Sequence, residues 1–559
     1  MPSGFLALLV VQLILIFMSG LAYWLDRYAL PPVVAVGFYL MAVFNLNYTD
    51  HYFQVDVAPA SRSQFILGTD SANTYVKAVA TPPFADAGYD QVYLAEVLDQ
   101  WPFPETNGRK TLVVVAASGG GTQAAAWTSK VLTELDREFP GFSQSIGLIS
   151  SVSGGSVGTM FYLGHRGLLP DIAEPESLLD DNARKIIQNC AEQSSLEAVC
   201  WGIAFPDLVR FAAPLAAPQW SDDAGSIDRG SAMEMWWWNT MGSGQKDRML
   251  MQQVSIRDLI PLVKSGRIPP VVFNSTCVET GQRVLISPIH VAVSAPKNKK
   301  DEGLAQTPID FLEFYDGAMA EKNRSNLLVS TAVRLSATFS YLTPFARPRT
   351  PKWLAETDNA ERFNRHFCDG GYSDGSGLVT AVDAIRQLLD YYRDREIKPP
   401  FHQILVVRIE PSPKTATRNS FDNTGLRSRL FPSSTTLGAT RDSAQAERSE
   451  LELRLLLHTN SIYADNNSNT IPVHSITFWP KAYFDSTLSR TGVESNGTAP
   501  IESSLSWSLT ESQKKDLNKA WKLIRSTDWN NLNLATSDTV SPHEIGRFFY
   551  ARPEPTPAP

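Results

Sequence analysis

Apolar positions along this chain fall into two kinds of pattern. The first is an uninterrupted block: from Phe5 to Trp24 the sequence reads FLALLVVQLILIFMSGLAYW, without a charge. That is about the 20 residues needed to cross a hydrocarbon core. Asp26 and Arg27 break the block, and Pro31-Pro32 open a second apolar run that ends near Phe44. Trp24, Tyr28 and Tyr48 stand where interfacial aromatics are favoured. A cleaved signal peptide would carry a basic start and a shorter apolar core, and residues 1–4 have no basic side chain. A buried core helix would show a polar face. Residues 1–48 are therefore expected to form a membrane anchor, as a helical hairpin or as one span followed by an interfacial segment.

The second pattern is periodic. Residues 49–105 have weak periodicity with scattered Pro and Gly, and are expected to form a connecting segment. Beyond them, Thr111–Ala117 (TLVVVAA) is a continuous apolar run of buried-strand type. The spacing predicts a helix over Ala124–Leu135, a strand over Ile146–Val152 and a helix over Gly155–Leu163. This alternation predicts an α/β fold with a mostly parallel central sheet covered on both faces. Pro270–Thr276 and Arg283–Ile289 flank a Glu279-Thr280-Gly281 turn and read as a hairpin. His402–Ile409 and Ile476–Trp479 are further strands, while Leu378–Tyr391 and Glu511–Ile524 have helical periodicity. Residues 410–446, rich in Ser, Thr, Arg and Asn, are expected to form a flexible loop, and 551–559 (ARPEPTPAP) a Pro-rich tail. The domain from 106 to 550 would then carry an insert over about 166–269.

Composition narrows the function classes. A chain of 559 residues, 43% hydrophobic and 19% charged, is long enough for one large or two ordinary globular domains. A net charge of −8, with no basic–aromatic run, excludes the usual nucleic-acid footprint. Four cysteines (Cys190, Cys200, Cys277, Cys368) are too few for a disulfide framework and point to a reducing compartment. The anchored domain is accordingly expected on the cytoplasmic face of a cell membrane. His366-Phe367-Cys368-Asp369 contains metal-ligand types, but strand alternation sends neighbours to opposite faces and no second ligand pair stands nearby.

Three glycine-containing stretches carry the chemistry. In Ser151-Val152-Ser153-Gly154-Gly155, small residues sit two before and two after Ser153, the requirement of a nucleophile elbow between strand and helix. A helix starting at Gly154 aims its N-terminal amides at that serine. Ser118-Gly119-Gly120-Gly121-Thr122 follows the first strand, and its backbone N–H groups can converge on an oxyanion. In Cys368-Asp369-Gly370-Gly371, Asp369 ends a strand where the backbone can turn into a cleft. Two rivals fail. Gly119-x-Gly121-x-x-Ala124 fits a dinucleotide fingerprint, yet the second strand ends in Ser151–Gly155 where that fold needs an acidic residue. A phosphate-binding Walker loop would require Gly-Lys-Ser/Thr. No cofactor or metal is expected.

In this order on a parallel-sheet pattern, the glycine loop, the elbow serine and Asp-Gly-Gly resemble the patatin-like phospholipases, relatives of the cytosolic phospholipase A2 catalytic domain. The resemblance runs from about Thr111 to about Ile409. Phe273-Asn274-Ser275-Thr276, Glu279-Thr280-Gly281, Ser336-Ala337 with Phe339 and Pro344, and Leu505–Thr510 strengthen it. It implies a three-layer α/β/α sandwich and a Ser–Asp dyad. Ser153 would be the nucleophile, Asp369 the base, and Gly119, Gly120 and Gly121 the oxyanion donors. It further implies membrane phospholipids or lysophospholipids as substrate, with the bilayer as partner. A triad completed by His402, His458, His474 or His543 fits the residue order as well. Gln123 departs from the family, which places Arg or Lys there; a catalytically weak or inactive lipid-binding protein is the alternative that this leaves open. Within the insert, Phe211–Trp220 and Met233–Trp238 are candidates for a lid or membrane contact, or for the insert's own core.

Overall fold

The computed structural model describes residues 3–26, 50–55, 67–70, 73–76, 92–165, 181–208, 228–241, 254–291, 308–316, 325–338, 342–350, 358–411, 443–458, 471–480, 507–526, 539–540 and 542–549. The second apolar run, Phe211–Trp220, most of the expected loop over 410–446 and the Pro-rich tail lie outside these residues.

The strands, in chain order, are β1 (His51–Phe53), β2 (Leu67–Asp70), β3 (Asn73–Val76), β4 (Glu105–Thr106), β5 (Arg109–Ala117), β6 (Ile146–Val152) and β7 (Val271–Cys277). They continue with β8 (Arg283–Ile286), β9 (Ile309–Asp310), β10 (Ala346–Pro348), β11 (Phe367–Asp369), β12 (Gln403–Ile409), β13 (Val473–Phe478) and β14 (Thr539–Val540). All but the β2–β3 pair join one sheet, in the order β1-β10-β11-β7-β6-β5-β12-β13-β14, with β4 on β5, β8 on β7 and β9 on β8. From β7 through β14 every neighbouring pair in that order is parallel. The protein is thus a mixed α/β fold with a large, mostly parallel sheet. Continuous apolar runs such as Leu112–Ala117 form strands here because both faces are covered, so every one of those side chains is buried.

The helices that position the site are α1 (Ser3–Asp26), α2 (Gly121–Glu138), α3 (Gly154–Leu163), α4 (Asp181–Ala191), α5 (Arg229–Met241), α6 (Val329–Ser336), α7 (Leu378–Asp394) and α8 (Glu511–Ser526). Alternation along β6 separates two of them. Ser150 Oγ donates to the Gly377 carbonyl at the start of α7, whereas Ser151 Oγ faces α3 and accepts from Ser156. α2, α4 and α6 pack against α3, and α8 joins α2 through the Trp127–Trp521 contact. One contiguous apolar core runs from Phe53 to Phe549.

The stretch expected as a connecting segment contributes more than a tether. His51–Phe53 pairs with β10 at the sheet edge, and Phe53 is packed between Phe311 and Phe367. The side chains of α1 are described only in part, and among the described residues no helix is long and apolar enough to cross a membrane. Among the described residues the four cysteines form no disulfide.

Candidate active site

Strand pairing brings together the two residues on which the site is built. β6 runs parallel to β7 and its last pair is Val152 with Asn274. β11 runs antiparallel along β7 and its last pair is Asp369 with Ser275. Two strands therefore approach head-on along β7 and each must leave the sheet at the meeting point. β6 leaves through Ser153 into α3, and β11 leaves through Gly370. A Cβ at Gly370 would overlap the Asn274 carbonyl oxygen, so this turn needs glycine.

The result is a direct bond: Ser153 Oγ donates to Asp369 Oδ2 at 2.7 Å, across 216 residues of sequence. The other carboxylate oxygen accepts from the Gly371 amide at 2.7 Å, which fixes the plane of the carboxyl group. Asp369 is buried and its own amide donates to the Thr338 carbonyl. Ser153 has φ 51° and ψ −122°, a region that non-glycine residues rarely occupy. Such strain persists only where the surroundings over-determine it. Here a Cβ at Gly155 would lie 2.5 Å from the Ala117 carbonyl oxygen, so only glycine lets α3 start this close to β5.

A chain of buried hydroxyls holds the elbow from behind. The Ser153 amide donates to Ser336 Oγ at 3.1 Å, and Ser336 Oγ meets Ser156 Oγ at 2.8 Å. Ser156 Oγ donates to Ser151 Oγ, which donates to the Val272 carbonyl. Since Ser156 spends its proton on Ser151, Ser336 must donate to Ser156, leaving its lone pairs for the Ser153 amide. Each hydroxyl polarises the next, so the relay is stronger than its separate bonds. Asn274 reinforces the same strand end: Nδ2 donates to Ser150 Oγ and the Ser151 carbonyl, while Oδ1 accepts from Thr380.

The glycine loop passes directly over this point, with Gly119 against the Ser153 Cβ. Of the three expected donors, Gly119 differs: its amide already donates to the Gly375 carbonyl at 3.0 Å. Gly120 and Gly121 adopt positive φ (141° and 63°), and Gly121 opens α2, whose first-turn amides have no acceptor within the helix. Gln123, where a basic residue was expected, is buried and donates from Nε2 to the Pro411 carbonyl at 2.8 Å. It ties α2 to the chain just past β12.

None of the three histidines with described side chains stands between the serine and the aspartate, which touch directly. His402 accepts the Lys110 amide at the entry to β12, the opposite end of the sheet from Ser153. His474 lies near the start of β13, where burial first of all pushes its pKa down to about 4. His458 is exposed at the end of a helix over 443–458, and the side chain of His543 lies outside the described residues. His366, the first residue of the cluster of metal-ligand types, bonds Glu279 at 2.7 Å and faces Asp50. The Asp50 hydrogen bond, with help from Glu279, raises the His366 pKa against the effect of burial.

A solvent-open cleft lies in front of Ser153. One wall is Gly121, Thr122 and Gly154; the rest is largely apolar, including Val157, Ala191, Met233, Trp237 and Trp507. Met233 and Trp237, one helical turn apart on α5, are both core-packed and cleft-lining.

No family model and no curated protein matches the chain. Among solved structures, human GIVD cytosolic phospholipase A2 matches at 13% identity and a TM-score of 0.26, over 57% of this chain and 48% of that one. The same protein in complex with a methyl gamma-linolenyl fluorophosphonate inhibitor and terbium chloride matches at 16% and 0.27, over 56% and 43%. The chain thus spans less than half the length of these phospholipase chains. VipD from Legionella pneumophila matches at 10% and 0.25, over 78% and 71%. The chain is similar to these proteins at a distance.

Proposed function

We propose that this protein is a membrane-tethered serine acyl-ester hydrolase that acts on phospholipids or lysophospholipids, with Ser153 as nucleophile and Asp369 as general base, on a three-layer sandwich of patatin type. The observation that carries the reading is the 2.7 Å bond from Ser153 Oγ to Asp369 Oδ2 at a strained elbow facing an apolar cleft.

In this reading, Asp369 takes the Ser153 proton as Oγ attacks the acyl carbonyl carbon. The carbonyl oxygen becomes an oxyanion, stabilised by the amides of Gly120, Gly121 and Gly154; each such donor is worth about 3–4 kcal/mol of barrier. The Gly119 amide, bonded to Gly375, serves the loop's shape instead. As the tetrahedral intermediate collapses, the C–O bond to the alcohol breaks and Asp369 returns its proton to that oxygen. Water then attacks the acyl-serine with Asp369 again as base, releasing the fatty acid and regenerating Ser153. Oδ1, held by Gly371, keeps the carboxylate oriented through both halves. The apolar cleft wall suits an acyl chain.

The tether rests on the sequence of α1. Ser3 to Leu25 is uncharged over a helix of 24 residues in all.

The test is hydrolysis of phospholipid vesicles and of a soluble short-chain ester by wild type and Ser153→Ala. The expected result is fatty-acid release that disappears in the variant. Hydrolysis that survives in Ser153→Ala rejects the nucleophile, and a folded wild type without activity supports the non-catalytic alternative.

A further inference from the structure

The segment that follows the cleft carries an uncovered aromatic pair. Trp201, in the helix Leu196–Gly202, and Phe205, in the turn Ile203–Asp207 that continues it, lie one helical turn apart with ring centroids 5.8 Å from each other. Trp201 is 43% exposed and Phe205 48%. Met235, 41% exposed, is on α5, which packs against both segments. Large apolar side chains grouped in this way on an otherwise folded surface mark a contact site.

Two neighbours say what the contact is with. The first is α1, which packs against both Leu196–Gly202 and Ile203–Asp207. Its described side chains Leu13, Leu15, Ile16 and Phe17 are each more than half exposed. A helix apolar on every side requires an apolar medium, and whatever medium covers α1 also borders Trp201 and Phe205. The second neighbour is the cleft. Gln193 and Ser195, immediately before the Trp201 helix, line it, as do Met233 and Trp237 on the face of α5 opposite Met235. The Trp201 helix therefore starts at the edge of the Ser153 cleft.

We infer that Trp201, Phe205 and Met235 form a bilayer-docking surface which, together with α1, seats the mouth of the cleft at the lipid–water interface. An amphipathic indole with its N–H toward the head groups and an apolar phenyl beside it suit that depth. Docking here shortens the path of an acyl chain from bilayer to Ser153 and keeps it out of water. The consequence for substrate choice rests on the hydrolase reading above; the docking itself does not.

Two measurements on the full chain in phosphatidylcholine vesicles test it. In the first, tryptophan fluorescence of wild type and of Trp201→Phe is compared in vesicles with and without brominated acyl chains. The Trp201 contribution, taken as the difference, is expected to be quenched by the brominated lipid. An unquenched Trp201 overturns the proposal, and does so in favour of a second copy if the protein is also dimeric by sedimentation. In the second, Trp201→Ser with Phe205→Ser is expected to lose about tenfold in vesicle phospholipid hydrolysis, equivalent to about 1.4 kcal/mol, with the rate on a soluble short-chain ester unchanged. An equal fall on both substrates, or on neither, overturns it. If wild type hydrolyses neither substrate, the hydrolase reading has failed and the quenching result alone decides the docking.

Discussion

Ser153 and Asp369 meet because they end two strands that run toward each other along the same edge of β7, Val152 pairing with Asn274 and Asp369 with Ser275. The dyad is therefore a property of strand register. A shift of one residue in β11 would turn Asp369 to the other face of the sheet and away from the cleft.

Ser336 is expected to act on the reaction through Ser153. Its hydroxyl accepts the Ser153 amide at 3.1 Å, and Ser336→Ala leaves that buried N–H without its acceptor. The cost is about 1–3 kcal/mol of stability. A relaxed elbow should also lower kcat by about 10–100-fold with KM unchanged, since small displacements of a reacting atom are expensive. Steady-state kinetics with a soluble ester, beside a thermal melt, checks both parts.

Gly370→Ala places a methyl group against the Asn274 carbonyl oxygen, where neither partner can yield without moving β7 or β11. The expected loss is about 3 kcal/mol. Activity should fall further than the population of folded protein does, because the shift displaces Asp369. Denaturant midpoints compared with specific activity measure the difference.

His474 sets an acid-side limit on stability. Burial pushes its pKa from an ordinary 6.5 down to about 4, with Arg547 and Arg109 adding to the effect. The unfolded chain therefore takes up a proton below about pH 6.5 that the folded protein refuses until about pH 4. Stability is full above that window and declines as pH falls through it, by up to about 3 kcal/mol. His290 and His366 have the opposite sign: hydrogen bonds to carboxylates raise their pKa values, so their contribution is full in acid and lost as pH rises. His474→Gln should flatten the acid-side decline, as read from urea midpoints across the window.

Trp237 closes part of the apolar cleft wall in front of Ser153. Trp237→Leu should enlarge that wall and move the chain-length preference toward longer acyl esters, by a few-fold in kcat/KM per added pair of methylenes. A series of soluble esters of increasing acyl length reads this directly; an unchanged profile would place the acyl chain elsewhere.

The long central strands of the sheet were legible in the sequence because fully buried parallel strands are continuous apolar runs. Ile146–Val152 coincides with β6, and the expected hairpin is the antiparallel β7–β8 pair. β1 and β10 were harder to see, since three-residue strands offer too few positions for a period; β11 was marked only by the Asp-Gly-Gly that ends it. β1 also lies in a stretch that reads as a connector, and only its contact with Phe311 and Phe367 draws it into the core. The site followed the same division. Ser153, Asp369 and the glycine loop stand out through their small neighbours. Ser336 carries no local signal for its hydrogen bond to the Ser153 amide, because its partner is 183 residues away. The engagement of the Gly119 amide by Gly375 is a tertiary contact of the same kind.

The central claim is that the Ser153 hydroxyl is activated by Asp369. It is tested most directly by treating the full chain with a fluorophosphonate and locating the adduct by mass spectrometry in wild type and in Asp369→Asn. The account predicts an adduct on Ser153 in wild type, and a labelling rate lower by at least about 100-fold in Asp369→Asn when both proteins are folded. An adduct on another residue, or equal labelling of Ser153 in the two proteins, would contradict it.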